Sequence, residues 1–256
     1  TEGIKNDYNW LSGLTSKGSF AWIAGIFITT FYVFLYWFPQ HLGLGENGAA
    51  NKGLVGFFDP LSILLKGEGK FASQWFMYGT LYTLAILIFG IKFIVKYRHN
   101  RYHDIRTISV MLFQLGFAFI IPAFLERMSL PYNDFKNVWP LNHYFFDTWN
   151  INGMLNAGNI GLFMLIFGIA MVLIITPILT YFFGKRWYCS WVCGCGGLAE
   201  TAGDSFRHLS DKSQSAWKIE RWMIHLVLAI SVLMTIAVIY NYRAQETIYL
   251  VTTEIF

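Results

Sequence analysis

Cys189, Cys193 and Cys195 are the only cysteines of the 256-residue chain, and all three fall in the stretch RWYCSWVCGCGG. The spacing C-x3-C-x-C brings three soft thiolate ligands to one short piece of backbone, which suits an iron–sulfur cluster or a zinc ion. Gly194, Gly196 and Gly197 are interleaved with them. Glycine accepts positive φ and lets backbone segments approach closely, so the expected form is a tightly coiled Cys/Gly-rich loop whose sulfurs converge. Glycine N–H groups would also donate hydrogen bonds to the sulfides of a cluster. Lys185 and Arg186 precede the thiols. Their charge favours thiolate and offsets the negative charge of a cysteine-ligated cluster. The competing reading is three free thiols with no ligand. A cubane takes four protein ligands as a rule, and this motif supplies three. His208 on the same loop is the candidate fourth, alongside a residue from a partner subunit or from a continuation of the chain.

The elements that must position these thiols are membrane spans. Hydrophobic residues make up 55% of the chain, aromatic residues 19% and charged residues 13%. So few charges exclude an ordinary soluble domain. The net charge of +4 is not a nucleic-acid signal, because the basic residues sit in short loops between apolar runs. The expected fold is all-α, a polytopic transmembrane helical bundle of about five spans, at 19–38, 73–95, 107–125, 158–183 and 219–240. By domain, 1–18 is a cytoplasmic N-terminal segment and 19–183 a membrane domain with four spans. The range 184–218 is the cytoplasmic cysteine-motif loop, and 219–256 holds the fifth span and an outer tail, read as a strand or surface segment. Pro177 is expected to kink the fourth span. The apolar run 54–65 is too short to cross and reads as interfacial or re-entrant. No cleavable signal peptide is evident. The start at Thr1 and the odd span number read as a processed chain or a piece of a longer one.

Orientation follows from basic residues in short loops. The connector between the second and third spans carries Lys96, Arg98, Arg101 and Arg106. The cysteine loop and its flank carry Lys185, Arg186, Arg207, Lys212, Lys218 and Arg221. The remaining loops hold fewer. The N-terminus and the cysteine loop are therefore expected on the cytoplasmic side of an inner membrane, with the C-terminus of this segment outside. A reducing cytoplasm disfavours a structural disulfide.

The run GKRWYCSWVCGCGGLAETAGDSFR resembles the first half of the membrane polyferredoxin signature, in which a basic-aromatic run leads into C-x3-C-P at the end of a span. That family includes the membrane ferredoxins of periplasmic nitrate reductase systems and the regulator of nitrous-oxide reduction. The resemblance covers about twenty-five residues and the surrounding pattern of spans. It implies [4Fe-4S] clusters and electron transfer with quinol or cytoplasmic donors, with Cys189 and Cys193 as the two motif cysteines. The chain departs from the pattern in three ways: Gly194 replaces the proline, Cys195 is additional, and the second C-x3-C-P is absent.

Other candidates rank lower. Glu126, Arg127, His143 and Asp147 could line a quinol site, but Glu126 and Arg127 read more simply as an interfacial ion pair. Gln114 reads as an interhelical hydrogen-bonding residue. Trp187 and Trp191 read as an aromatic belt. A bis-histidine haem is disfavoured, since only His225 lies within a span. The glycines at 43–56 lack the order of a phosphate-binding loop. The leading expectation is an electron-transfer component, rather than a self-contained enzyme, that binds or shares a [4Fe-4S] cluster. Its expected partners are lipid, redox or membrane subunits and quinone. A non-catalytic subunit with structural zinc is the alternative. A transporter is third, weakened by the scarcity of ionisable residues within the spans.

Overall fold

The structure, a computed structural model, describes residues 19–45, 50–135, 143–184, 186–204, 206 and 213–244. Among these residues the chain is helical, with no strand. The N-terminal segment 1–18 and the tail 245–256 lie outside the described residues.

Four helices are long and apolar enough to cross a membrane: Gln74–Tyr97, Arg101–Arg127, Asn159–Phe183 and Gln214–Asn241. A shorter apolar helix covers Trp22–Trp37, within α1 (Ser19–Trp37). These helices occupy the positions of the five expected spans. Their large apolar side chains are mostly exposed, as hydrocarbon contact requires.

The chain forms two compact units. The first contains residues 1–127 and 188–210. After α1, short helices α2 (Gly53–Gly56) and α3 (Asp59–Lys66) account for the apolar run that is too short to span. Buried Asp59 organises this region. Its carboxylate accepts from the side-chain amide of Asn51 at 2.6 Å and from the Ala72 N–H at 2.9 Å. Leu35, Val55, Ala72, Phe76 and Met77 form the core beside it.

Helix α4 (Gln74–Tyr97) starts where the Ser73 hydroxyl accepts from the Phe76 N–H. Asn100 starts α5 (Arg101–Arg127) in the same manner, accepting from the Tyr102 N–H. The third span therefore begins six residues earlier than the expected 107. Hydropathy counts Arg101 and Arg106 as loop, whereas the Asn100 cap and a partner for Arg106 allow both to lie on the helix. The two helices approach closely at Gly90, where an added Cβ would lie 2.7 Å from Met111 Sδ. The Gln114 side chain donates to Thr83 Oγ1 at 3.1 Å across the pair, which is the expected interhelical bond.

The second unit contains residues 128–187 and 211–256. It holds α6 (Thr148–Asn156), α7 (Asn159–Phe183) and α10 (Gln214–Ala244). Gly168 gives way to the Phe145 ring. In both α5 and α7 a widened π-helical stretch precedes a proline: Phe113–Ile120 before Pro122, and Met171–Ile175 before Pro177. Proline lacks the N–H for an i−4 bond and its ring crowds that carbonyl, so an inserted wide turn relieves the clash. The irregularity expected at Pro177 thus takes the form of a π segment.

Candidate functional site

Within the expected cysteine loop at 184–218, the described residues are largely helical. Helix α8 covers Trp187–Trp191 and α9 covers Gly194–Thr201, with Cys193 between them in an extended conformation. From Tyr188 onward this segment belongs to the first unit, where it packs on α4 and α5.

Its course along α4 sets the position of the thiols. Trp191 lies against the Tyr102 ring near the start of α5, and its carbonyl accepts from Ser109 Oγ at 2.9 Å. Cys195 Sγ accepts from Tyr82 Oη at 3.1 Å. Asp204, buried, then meets Lys96 Nζ at 2.5 Å and Tyr97 Oη at 3.1 Å at the far end of α4. Tyr82 lies about 12 Å along α4 from Gln74 and about 22 Å from Tyr97, at 1.5 Å per residue. The segment is therefore re-entrant: it descends beside α5, turns at the cysteines and returns along α4. The thiols lie alongside the interior of a long apolar helix rather than at its end.

The three glycines have a different role from the expected one. None has positive φ. Each instead removes a Cβ where backbone or side chain intrudes. At Gly196 a Cβ would lie 1.9 Å from the Cys189 carbonyl oxygen. At Gly194 it would meet Ile86 Cδ1 at 2.7 Å, Gln114 Oε1 at 2.8 Å and Tyr82 Cε1 at 2.9 Å. At Gly197 it would meet Val110 Cγ1 at 2.4 Å. Gly194 and Gly197 seat α9 against the helix pair, and Gly196 lets the Cys189 turn close onto α9.

The sulfurs themselves are only partly assembled. Cys193 and Cys195 share a hydrogen bond, and Cys193 also accepts from the N–H groups of Gly196 and Cys195 at the start of α9. Cys189 and Cys195 are exposed. Among the described residues no group of three or more Cys, His, Asp and Glu side chains is gathered to hold a metal. The fit to a cluster rests on the donor chemistry of three thiols and on the backbone contact that only a glycine at 196 permits. Three thiols are fewer than the four protein ligands a cubane takes as a rule.

His208 and Lys185 lie outside the described residues. Arg186 pairs with Glu220 at 3.2 Å within the second unit. His225 is exposed on α10. Trp187 donates from Nε1 to Thr180 Oγ1 at 3.1 Å. Glu126 is paired, as expected of an interfacial ion pair, but with Lys66 at 2.9 Å. Arg127 instead donates to the Leu64 carbonyl. Asp147 caps α6 through the Thr148 N–H, and the side chain of His143 lies outside the described residues.

Sequence reasoning missed a polar cluster behind α9. Glu200 is paired with Arg106, and Arg106 Nη2 lies 3.0 Å from His103 Nδ1. It also missed Asp204 and Tyr82. The acidic residues of 200–204 carried a signal, since they complement the basic connector at 96–106.

Residues 161–213 match the family model of a 4Fe-4S binding domain. The matched region contains all three cysteines. No curated protein and no solved structure matches the chain. The match supports an iron–sulfur cluster and gives no support to zinc.

Proposed function

We propose that the chain is a membrane-embedded electron-transfer subunit in which Cys189, Cys193 and Cys195 hold three corners of a [4Fe-4S] cluster. The observation that carries this reading is the match of 161–213 to a 4Fe-4S binding domain, supported by the Gly196 cradle that draws Cys189 onto α9. Such a cluster would supply one-electron storage. The protein would exclude water from it with Tyr82, Ile86 and Val110, and hold the segment in place through Asp204. The fourth ligand comes from outside the described residues, from His208, a partner subunit or a continuation of the chain. The subunit links a redox partner to the quinone pool or to another membrane subunit, as in membrane polyferredoxins. In the inner-membrane orientation set by basic loops, Lys96 and Asp204 lie at the cytoplasmic end of α4, and the cysteine segment enters from there.

Anaerobic purification with iron and sulfide analysis, followed by EPR after reduction, tests this reading. Iron and sulfide in equal amounts and a signal from a reduced cubane are expected. A folded full-length protein that takes up no iron, alone or with its partner subunits, overturns it.

A further inference from the structure

The Tyr82 hydroxyl is aimed at the one cysteine that the polyferredoxin signature lacks. Its bond to Cys195 Sγ measures 3.1 Å, and it reaches the thiol from α4 rather than from the cysteine segment. Two packing contacts hold the ring in place. Its edge lies against Gly194, where a Cβ would come 2.9 Å from Tyr82 Cε1. Its face stacks on Tyr78 with ring centroids 5.9 Å apart. A glycine at 194 is therefore what lets the phenol reach the sulfur.

From this geometry we infer that Tyr82 is a positioning residue that hydrogen-bonds the sulfur of Cys195 and raises the reduction potential of the centre that the thiol ligates. The inference rests on the iron–sulfur reading above. A donor on a ligating sulfur withdraws electron density from it and stabilises the reduced, more negative state.

The test compares midpoint potentials by EPR-monitored titration of the full-length holoprotein, alone or with its partner subunits. The variants are Tyr82→Phe, Tyr78→Phe and a protein carrying 3,5-difluorotyrosine at position 82. Tyr82→Phe is expected to retain iron and sulfide while its midpoint moves negative. The fluorinated phenol is a stronger donor and should move the midpoint positive. Tyr78→Phe keeps the stacked ring and should leave the midpoint in place. Unchanged midpoints for both position-82 variants overturn the role of Tyr82 while leaving the cluster intact. Loss of iron from Tyr82→Phe together with no positive shift in the fluorinated protein also overturns it, assigning Tyr82 to assembly alone. Absence of iron from the wild type instead overturns the underlying iron–sulfur reading.

Discussion

A side chain at position 196 would place its Cβ 1.9 Å from the carbonyl oxygen of Cys189, and a carbonyl cannot swing aside as a flexible side-chain end can. Gly196→Ala should therefore separate the Cys189 turn from α9 and cost about 1–3 kcal/mol, the range for overpacked sites. Iron retention should fall to background. Gly25→Ala is the control, because nothing lies within 4 Å of its Cβ position. Iron content and thermal unfolding of both variants check the contrast. The thiols should also differ in reactivity. Cys189 is exposed, whereas Cys193 is half-buried and hydrogen-bonded to Cys195. In metal-free protein, iodoacetamide should label Cys189 first, with Cys193 lagging. Peptide mass spectrometry over a time course reads the order, and faster labelling of Cys193 at pH 8 would contradict the assignment. The candidate donors were legible at this scale because cysteines announce themselves by spacing. The role of the glycines was not, since close approach and positive φ leave the same residue in the sequence.

At the scale of elements, the cysteine segment is fastened at its return end by Asp204. The carboxylate is buried, and it binds both Lys96 and Tyr97 on α4. Asp204→Ala leaves a cation and a phenol without their acceptor. Because the Lys96 side chain remains 39% exposed, the expected cost is about 1–2 kcal/mol rather than that of a fully buried pair. Hydrogen exchange should quicken in 194–204 with little change in the Asp59 network, which belongs to other helices. Uniform exchange across the first unit would show that the ion pair is not a local fastening. The long helices could be read from hydropathy alone, since a twenty-residue apolar run has few alternatives. Helices α8 and α9 could not. They have five and eight residues, contain cysteine and glycine, and depend for stability on packing against α4 and α5. Tyr82 was hidden for a related reason. A tyrosine within an apolar run reads as one more ring facing lipid until the cysteine segment is laid against it.

At the scale of the whole molecule, the re-entrant path of 188–204 makes a demand on any bilayer placement. If α4 spans the hydrocarbon core, about 30 Å thick, then Cys195 beside Tyr82 lies within that core and Asp204 lies near its edge. A surface-bound motif would place both in the aqueous interface. The two arrangements predict opposite responses to paramagnetic relaxants. In sealed vesicles, a nitroxide carried midway along a lipid acyl chain should broaden the reduced cluster's EPR signal more than an aqueous nickel chelate does. The same preparation labelled at the exposed end of α4 after Arg98→Cys should show the reverse order for a spin label there. Equal access of the aqueous chelate to the cluster and to position 98 would put the thiols at the membrane surface, and the descent of the cysteine segment along α4 would then have to be abandoned.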